Sequence, residues 1–131
     1  MKKMRYVLVL ITVATTVLLL HGCSKSNTLE VTATAYTSSV GETDSTPTLA
    51  AWGDTLTPGM KAIAVSRDLI KKGLTHGTEV TIEGFEGKYK VLDKMNKRWT
   101  KKIDIYMGLD RKKAIGWGKQ QVIIHWVNEP S

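Results

Sequence analysis

The feature that most limits how this chain can fold is its one cysteine, Cys23, which closes an uncharged run at the N-terminus. Lys2, Lys3 and Arg5 precede Tyr6–Leu20, a stretch rich in Val and Leu, and His21-Gly22-Cys23-Ser24 ends it abruptly. The order of positive residues, apolar run and small-residue boundary is that of a secretory leader. The run is shorter than the roughly 20 apolar residues needed to cross a bilayer. Cleavage after Gly22 is therefore expected, leaving 109 of the 131 residues; it removes three of the 19 Lys and Arg and none of the 12 Asp and Glu, for a net charge of +4. A chain of that size has room for a single core. With no second cysteine, no intrachain disulfide can form, and packing and backbone pairing must hold the fold together.

Leu20 at minus three, Gly22 at minus one and Cys23 itself resemble a lipobox. The resemblance implies an exported protein held to a membrane by a lipid on Cys23, on the outer membrane facing the periplasm in a Gram-negative host and on the cell surface in a Gram-positive one. Ser24–Thr28 then reads as a short polar tether, with the folded domain spanning residues 29–128. The lysines are dispersed, so the mild positive balance is not the footprint of a nucleic-acid partner.

Beyond the tether, Leu29–Tyr36 alternates apolar and polar residues as a half-buried strand does. Thr37–Pro58, rich in Ser, Thr, Gly, Asp and Pro, reads as a long loop of the kind that often carries function. Further strands are expected at Lys61–Val65, Glu79–Glu83, Lys88–Leu92, Ile103–Tyr106 and Gln121–Val127. A turn at Gly84-Phe85-Glu86-Gly87 would join two of them as a hairpin. Two short helices are expected, Arg67–Lys72 with Ser66 as N-cap and Arg111–Gly116 with Asp110 as N-cap. Six short strands and two small helices make a mainly β protein, a small barrel.

Three segments, Thr34-Ala35-Tyr36-Thr37, Ala62-Ile63-Ala64-Val65, and Val91-Leu92-Asp93 followed by Lys102-Ile103-Asp104-Ile105-Tyr106, occur in an order that resembles the 3D (three-aspartate) domain. The resemblance runs from about Val31 to Trp126 and includes Trp117-Gly118 before the last strand. It implies a six-stranded double-psi β-barrel, related to the catalytic region of membrane-bound lytic transglycosylase A. It also implies peptidoglycan glycan strands as the partner, with no cofactor. Two departures stand out. Ser66 occupies the place of the family's first aspartate, with Asp68 two residues later, and Lys94-Met95-Asn96 replaces a Gly-Gly after the middle one.

Independently of that resemblance, period two in Ile103-Asp104-Ile105-Tyr106-Met107 sends the apolar residues to one face and Asp104 with Tyr106 to the other. A carboxylate beside an aromatic in such a strand is desolvated, which raises its pKa as a general acid requires. Asp93 closes a strand at a loop mouth, where it can support Asp104; the alternative is that both aspartates cap loops or pair with Lys94, Lys101 and Lys102. Tyr36, Asp54 and Asp68 are further candidates for lining a cleft, and Trp52 and Trp99 lie in loop-like segments where an indole could stack on a sugar. Trp117 and Trp126 read as core. His76 and His125 form no metal-ligand cluster with other residues in sequence.

Two functions follow from the resemblance taken with these residues. One is cleavage of glycosyl bonds with Asp104 as acid and base and Asp93 in support, forming 1,6-anhydro-muramyl products. The other is a non-catalytic, expansin-like module that grips the glycan. The small size of the domain points to a cell-wall protein partner that completes the walls of the cleft.

Overall fold

The computed structural model describes residues 24–39 and 48–129; Cys23 lies outside them. The chain runs β1 (Ser26–Tyr36), β2 (Ala62–Val65), α1 (Arg67–Ile70), β3 (Glu79–Ile82), β4 (Tyr89–Lys94), β5 (Lys102–Tyr106), α2 (Arg111–Trp117) and β6 (Gln120–Val127). The strands close into a barrel in the order β1-β5-β2-β4-β3-β6. The β1–β5 and β2–β4 pairs are parallel and the other four antiparallel. The mainly β, six-stranded barrel with two short helices is the architecture expected, and the hairpin over Gly84–Gly87 joins β3 to β4.

Alternation fills the barrel. Val31 and Ala33 from β1, Ile63 and Val65 from β2, Val91 from β4, Ile103 and Ile105 from β5 and Ile124 from β6 all point inward and are buried. Leu69 from α1 and Leu74 after it join the same core, as does Trp126. Trp117 packs on it partly buried.

The strand β2 is buried along its whole length. Its inward residues are branched, whereas its outward ones, Ala62 and Ala64, are small, so another layer can lie close on the outer face. That layer is the 48–60 loop: Ala50 and Leu56 pack with Ala62, Leu92 and Tyr106 in a second buried cluster. An isolated bridge between Leu49 and Thr55 shapes the loop, and Gly108 lets it come near. Gly108 has φ +62, and a Cβ there would meet the Pro58 Cα at 3.2 Å.

Two local details depart from the sequence reading and a third agrees with it. The strand β1 begins at Ser26, inside the segment read as tether, because Ser26, Asn27 and Thr28 find partners in Val127, Trp126 and His125. These polar residues carry no apolar alternation, and only the free edge of β6 recruits them. Ser66 precedes α1 without capping it through its side chain. Its hydroxyl instead accepts the Lys102 amide at 3.0 Å, tying β2 to β5. Asp110 does cap α2, accepting from the Lys113 amide at 2.9 Å.

Candidate functional site

Strand register assembles the site on the outer face of the barrel. Thr34 on β1 pairs with Asp104 on β5, Asp104 with Ala64 on β2, and Ala64 with Asp93 on β4. The two aspartates are thus separated only by a small alanine in one row across four strands. Tyr36 and Tyr106 pair in the next row, with ring centroids 5.5 Å apart.

Asp93 reaches this face through a β-bulge. Ile63 pairs with Val91 and Ala64 with Asp93, leaving Leu92 as an extra residue on β4. Without it, counting two from the inward Val91 would turn Asp93 into the barrel. Bulges of this kind re-aim side chains beside functional sites.

Burial pushes the Asp104 carboxyl up from its ordinary 3.8 to about 6. A hydrogen bond from Thr34 Oγ1 to Asp104 Oδ1, at 3.1 Å, and the charge of Lys102 work against the rise, while the charge of Asp93 adds to it. Proton exchange at Asp104 therefore falls near neutrality. Burial also drives the Tyr36 hydroxyl far above its ordinary range, with Asp93, Asp104 and Tyr106 contributing. That hydroxyl is buried and finds no hydrogen-bond partner among the described residues. The Tyr106 hydroxyl, by contrast, is held by Ser38 Oγ at 2.6 Å.

Asp93 carries a structural duty as well, much as the loop-capping alternative foresaw. Its Oδ1 accepts the Ala51 amide at 2.8 Å and the Lys94 amide at 2.9 Å, fastening the 48–60 loop over the site. Asp93→Asn is expected to weaken this fastening and to let Asp104 titrate below pH 6, because a negative neighbour is removed. Carboxyl carbon NMR on Asp104 and amide exchange at Ala51 check both effects.

The remaining candidates sit apart from the carboxylate row. Asp54 Oδ2 meets His76 Nε2 at 2.5 Å, pairing the 48–60 loop with the turn before β3. Trp52 stacks near the same His76, with ring centroids 5.2 Å apart. Asp68 Oδ2 accepts the Lys101 amide at 2.9 Å. Burial works to raise the Asp68 carboxyl, but hydrogen bonds from the Ser66 hydroxyl and backbone amides outweigh it and hold it below its ordinary value. Neither Asp54 nor Asp68 is among the groups whose charge bears on Asp104. Thr34 and Lys102 are additions to the residues picked from sequence. Each shares parity with one that was picked, Thr34 with Tyr36 and Lys102 with Asp104.

An open groove of about 530 Å³ lies elsewhere, lined by His76, Thr78, Thr81, Lys88 and His125 among others. It holds no buried carboxyl, whereas the strand face holds the desolvated Asp104. Among the described residues no three His, Cys, Asp or Glu side chains gather as a metal would require.

No protein-family model and no curated protein matches the chain. Among solved structures, an apo expansin from Clavibacter michiganensis is similar, with a TM-score of 0.50 and 19% identity over 80% of this chain and 52% of that one. A point variant of the expansin from that organism, crystallised with cellohexaose, has a TM-score of 0.49 at 19% identity over the same shares of the two chains. The likeness is one of fold. The chain spans about half the length of these expansins.

Proposed function

We propose that this barrel binds glycan strands of the cell wall, peptidoglycan foremost, beside the 48–60 loop on the outer face that carries Asp93 and Asp104. One observation carries the reading: Asp104, Asp93, Tyr36 and Thr34 converge from three strands on one face, with Asp104 partly desolvated and the buried Tyr36 hydroxyl left without a hydrogen-bond partner among the described residues. Carboxylates and phenol groups beside aromatic rings are what a sugar asks for, since its hydroxyls donate and accept while its C–H faces stack. The likeness to expansin speaks for the same barrel and leaves the ligand to be argued from these residues. The resemblance of the segment around Cys23 to a lipobox supports a location in the envelope, within reach of wall glycan, and the order of the Asp93 and Asp104 segments resembles that of the 3D domain.

A second reading, cleavage, draws on a separate observation: an acid with a pKa of about 6 is well suited to give and take a proton near neutrality. In a lytic transglycosylase one carboxyl protonates the glycosidic oxygen after N-acetylmuramic acid. The resulting carboxylate then accepts the proton of that sugar's C6 hydroxyl as O6 bonds to C1, closing the 1,6-anhydro ring without consuming water. Hydrolysis needs a second carboxylate in defined opposition, and Asp93 is engaged by two backbone amides.

Purified sacculi separate the readings. The passive module is expected to co-sediment with sacculi and release nothing, gripping best above pH 6, where Asp104 is an acceptor. Transglycosylation would release fragments one water lighter than hydrolytic muropeptides and would decline above pH 6 as the acid ionises. Hydrolysis would release fragments at the hydrolytic mass. A chain that neither binds nor cuts sacculi refutes the glycan reading.

A further inference from the structure

Between the two aspartates the chain reads Lys94-Met95-Asn96-Lys97-Arg98-Trp99-Thr100-Lys101-Lys102, five cations and no acid. The salt bridges of the described residues engage none of the five. Three of them lie instead against indole rings. Lys102 Nζ stands 3.6 Å from the Trp99 ring centroid and the Arg98 guanidinium carbon 4.7 Å from it, and Lys94 Nζ is 5.6 Å from that of Trp52. A π-face orients a cation without neutralising it, so the positive charge stays available to a ligand.

The segment is held in shape before any ligand arrives. The Met95 amide bonds the Val65 carbonyl at 2.9 Å, and the Trp99 amide closes a turn on the Asn96 carbonyl at 3.1 Å. Lys101 adopts φ +49, a left-handed conformation uncommon for a side chain of its type, and the Asp68 carboxylate fixes its amide. Asp68, a candidate for the cleft from sequence, thus supports this ridge. The ridge also adjoins the carboxylate row at both ends. Lys94 follows Asp93 directly, and Lys102 shares the outer face with Asp104 closely enough for its charge to be felt there.

We propose that Lys94–Lys102 forms an anion-reading subsite, in which the Trp99 ring orients Arg98 and Lys102 to engage carboxylate or phosphate groups carried by the glycan. The inference rests on the glycan reading of the neighbouring face and adds to it a preference for anionic over neutral strands. Guanidinium and ammonium groups make charge-assisted hydrogen bonds to both kinds of anion. Two such contacts on a partly exposed ridge correspond to about tenfold in affinity, less at high salt.

The test uses the full chain in mild detergent with three preparations of sacculi: native, carboxyl-amidated, and stripped of phosphodiester polymers by hydrofluoric acid. Weaker binding by about tenfold to the amidated preparation supports the subsite and names carboxylate as its ligand; the same loss on the stripped preparation supports it and names phosphate. A double variant, Arg98→Gln with Lys102→Gln, is expected to bind native sacculi no better than the preparation that weakened the parent chain. Equal binding of the parent chain to all three preparations overturns the subsite and leaves the glycan reading standing. A double variant that keeps the full preference also overturns it. Failure to bind any preparation overturns both.

Discussion

Asp104→Asn is expected to make the protein more stable and less functional at the same time. In the folded chain the Asp104 carboxyl has a pKa of about 6 against an ordinary 3.8, with burial as the first cause. Above pH 6 the carboxyl is ionised in both folded and unfolded chains, and only the folded chain bears the desolvation penalty. Below about pH 4 it is protonated in both and the penalty is gone. Between those values the folded chain holds the extra proton, so this group's contribution to stability improves as the pH falls. Asparagine carries no charge at any pH and can still accept from Thr34. The variant should gain about 1–3 kcal/mol at pH 7.5 and well under about 1 kcal/mol at pH 4. Chemical denaturation at the two pH values measures this directly. The same variant should lose about tenfold in affinity for glycan, as a charged acceptor is lost, and any fragment release should cease. A variant less stable than the parent at pH 7.5 would show that the carboxylate is a structural acceptor. Stability spent on a group that folding would do better without is the mark of a functional site.

The second large effect is expected from the inner side of the same strand. Ile103 is fully buried in the barrel core, and β5 is paired on both edges, to β1 and to β2. Ile103→Ala removes methylene groups from a closed interior whose walls are tied by backbone hydrogen bonds and relax little. A loss of about 2–5 kcal/mol follows. For a domain of this size each 1 kcal/mol moves the melting temperature by about 4–8 °C, so a drop of about eight degrees or more is expected in a thermal scan. Because Asp104 is the next residue, loosening the core should also weaken glycan binding. A shift under two degrees would mean that β5 does not carry the core.

Parts of this site were legible in the residues alone. Asp104 and Tyr106 share a face because Ile103 and Ile105 between and before them must go inward, and a period of two leaves no other choice. The six strands and both helices could be placed for the same kind of reason. The direction of Asp93 could not, because it depends on the single extra residue Leu92, and a bulge leaves no local signature in a run such as Val91-Leu92-Asp93. Nor could the Asp54–His76 pair or the hold of Asp68 on Lys101, which join residues far apart in sequence. Ser66 looked like a helix cap from its neighbours, yet the Lys102 amide across the sheet claims its hydroxyl. Local pattern sets which face a side chain takes; only closure of the barrel sets what it meets there.

The central claim is that glycan lies beside the 48–60 loop on the outer face that carries Asp93 and Asp104, and not in the open groove beside His76 and His125. Amide NMR during titration with soluble peptidoglycan glycan fragments tests it most directly. Shifts at Thr34, Ala64, Asp93 and Asp104, extending to Ala51 in the loop above them, are the predicted result. Shifts confined to His76, Thr81 and His125, with the carboxylate row unmoved, would contradict it.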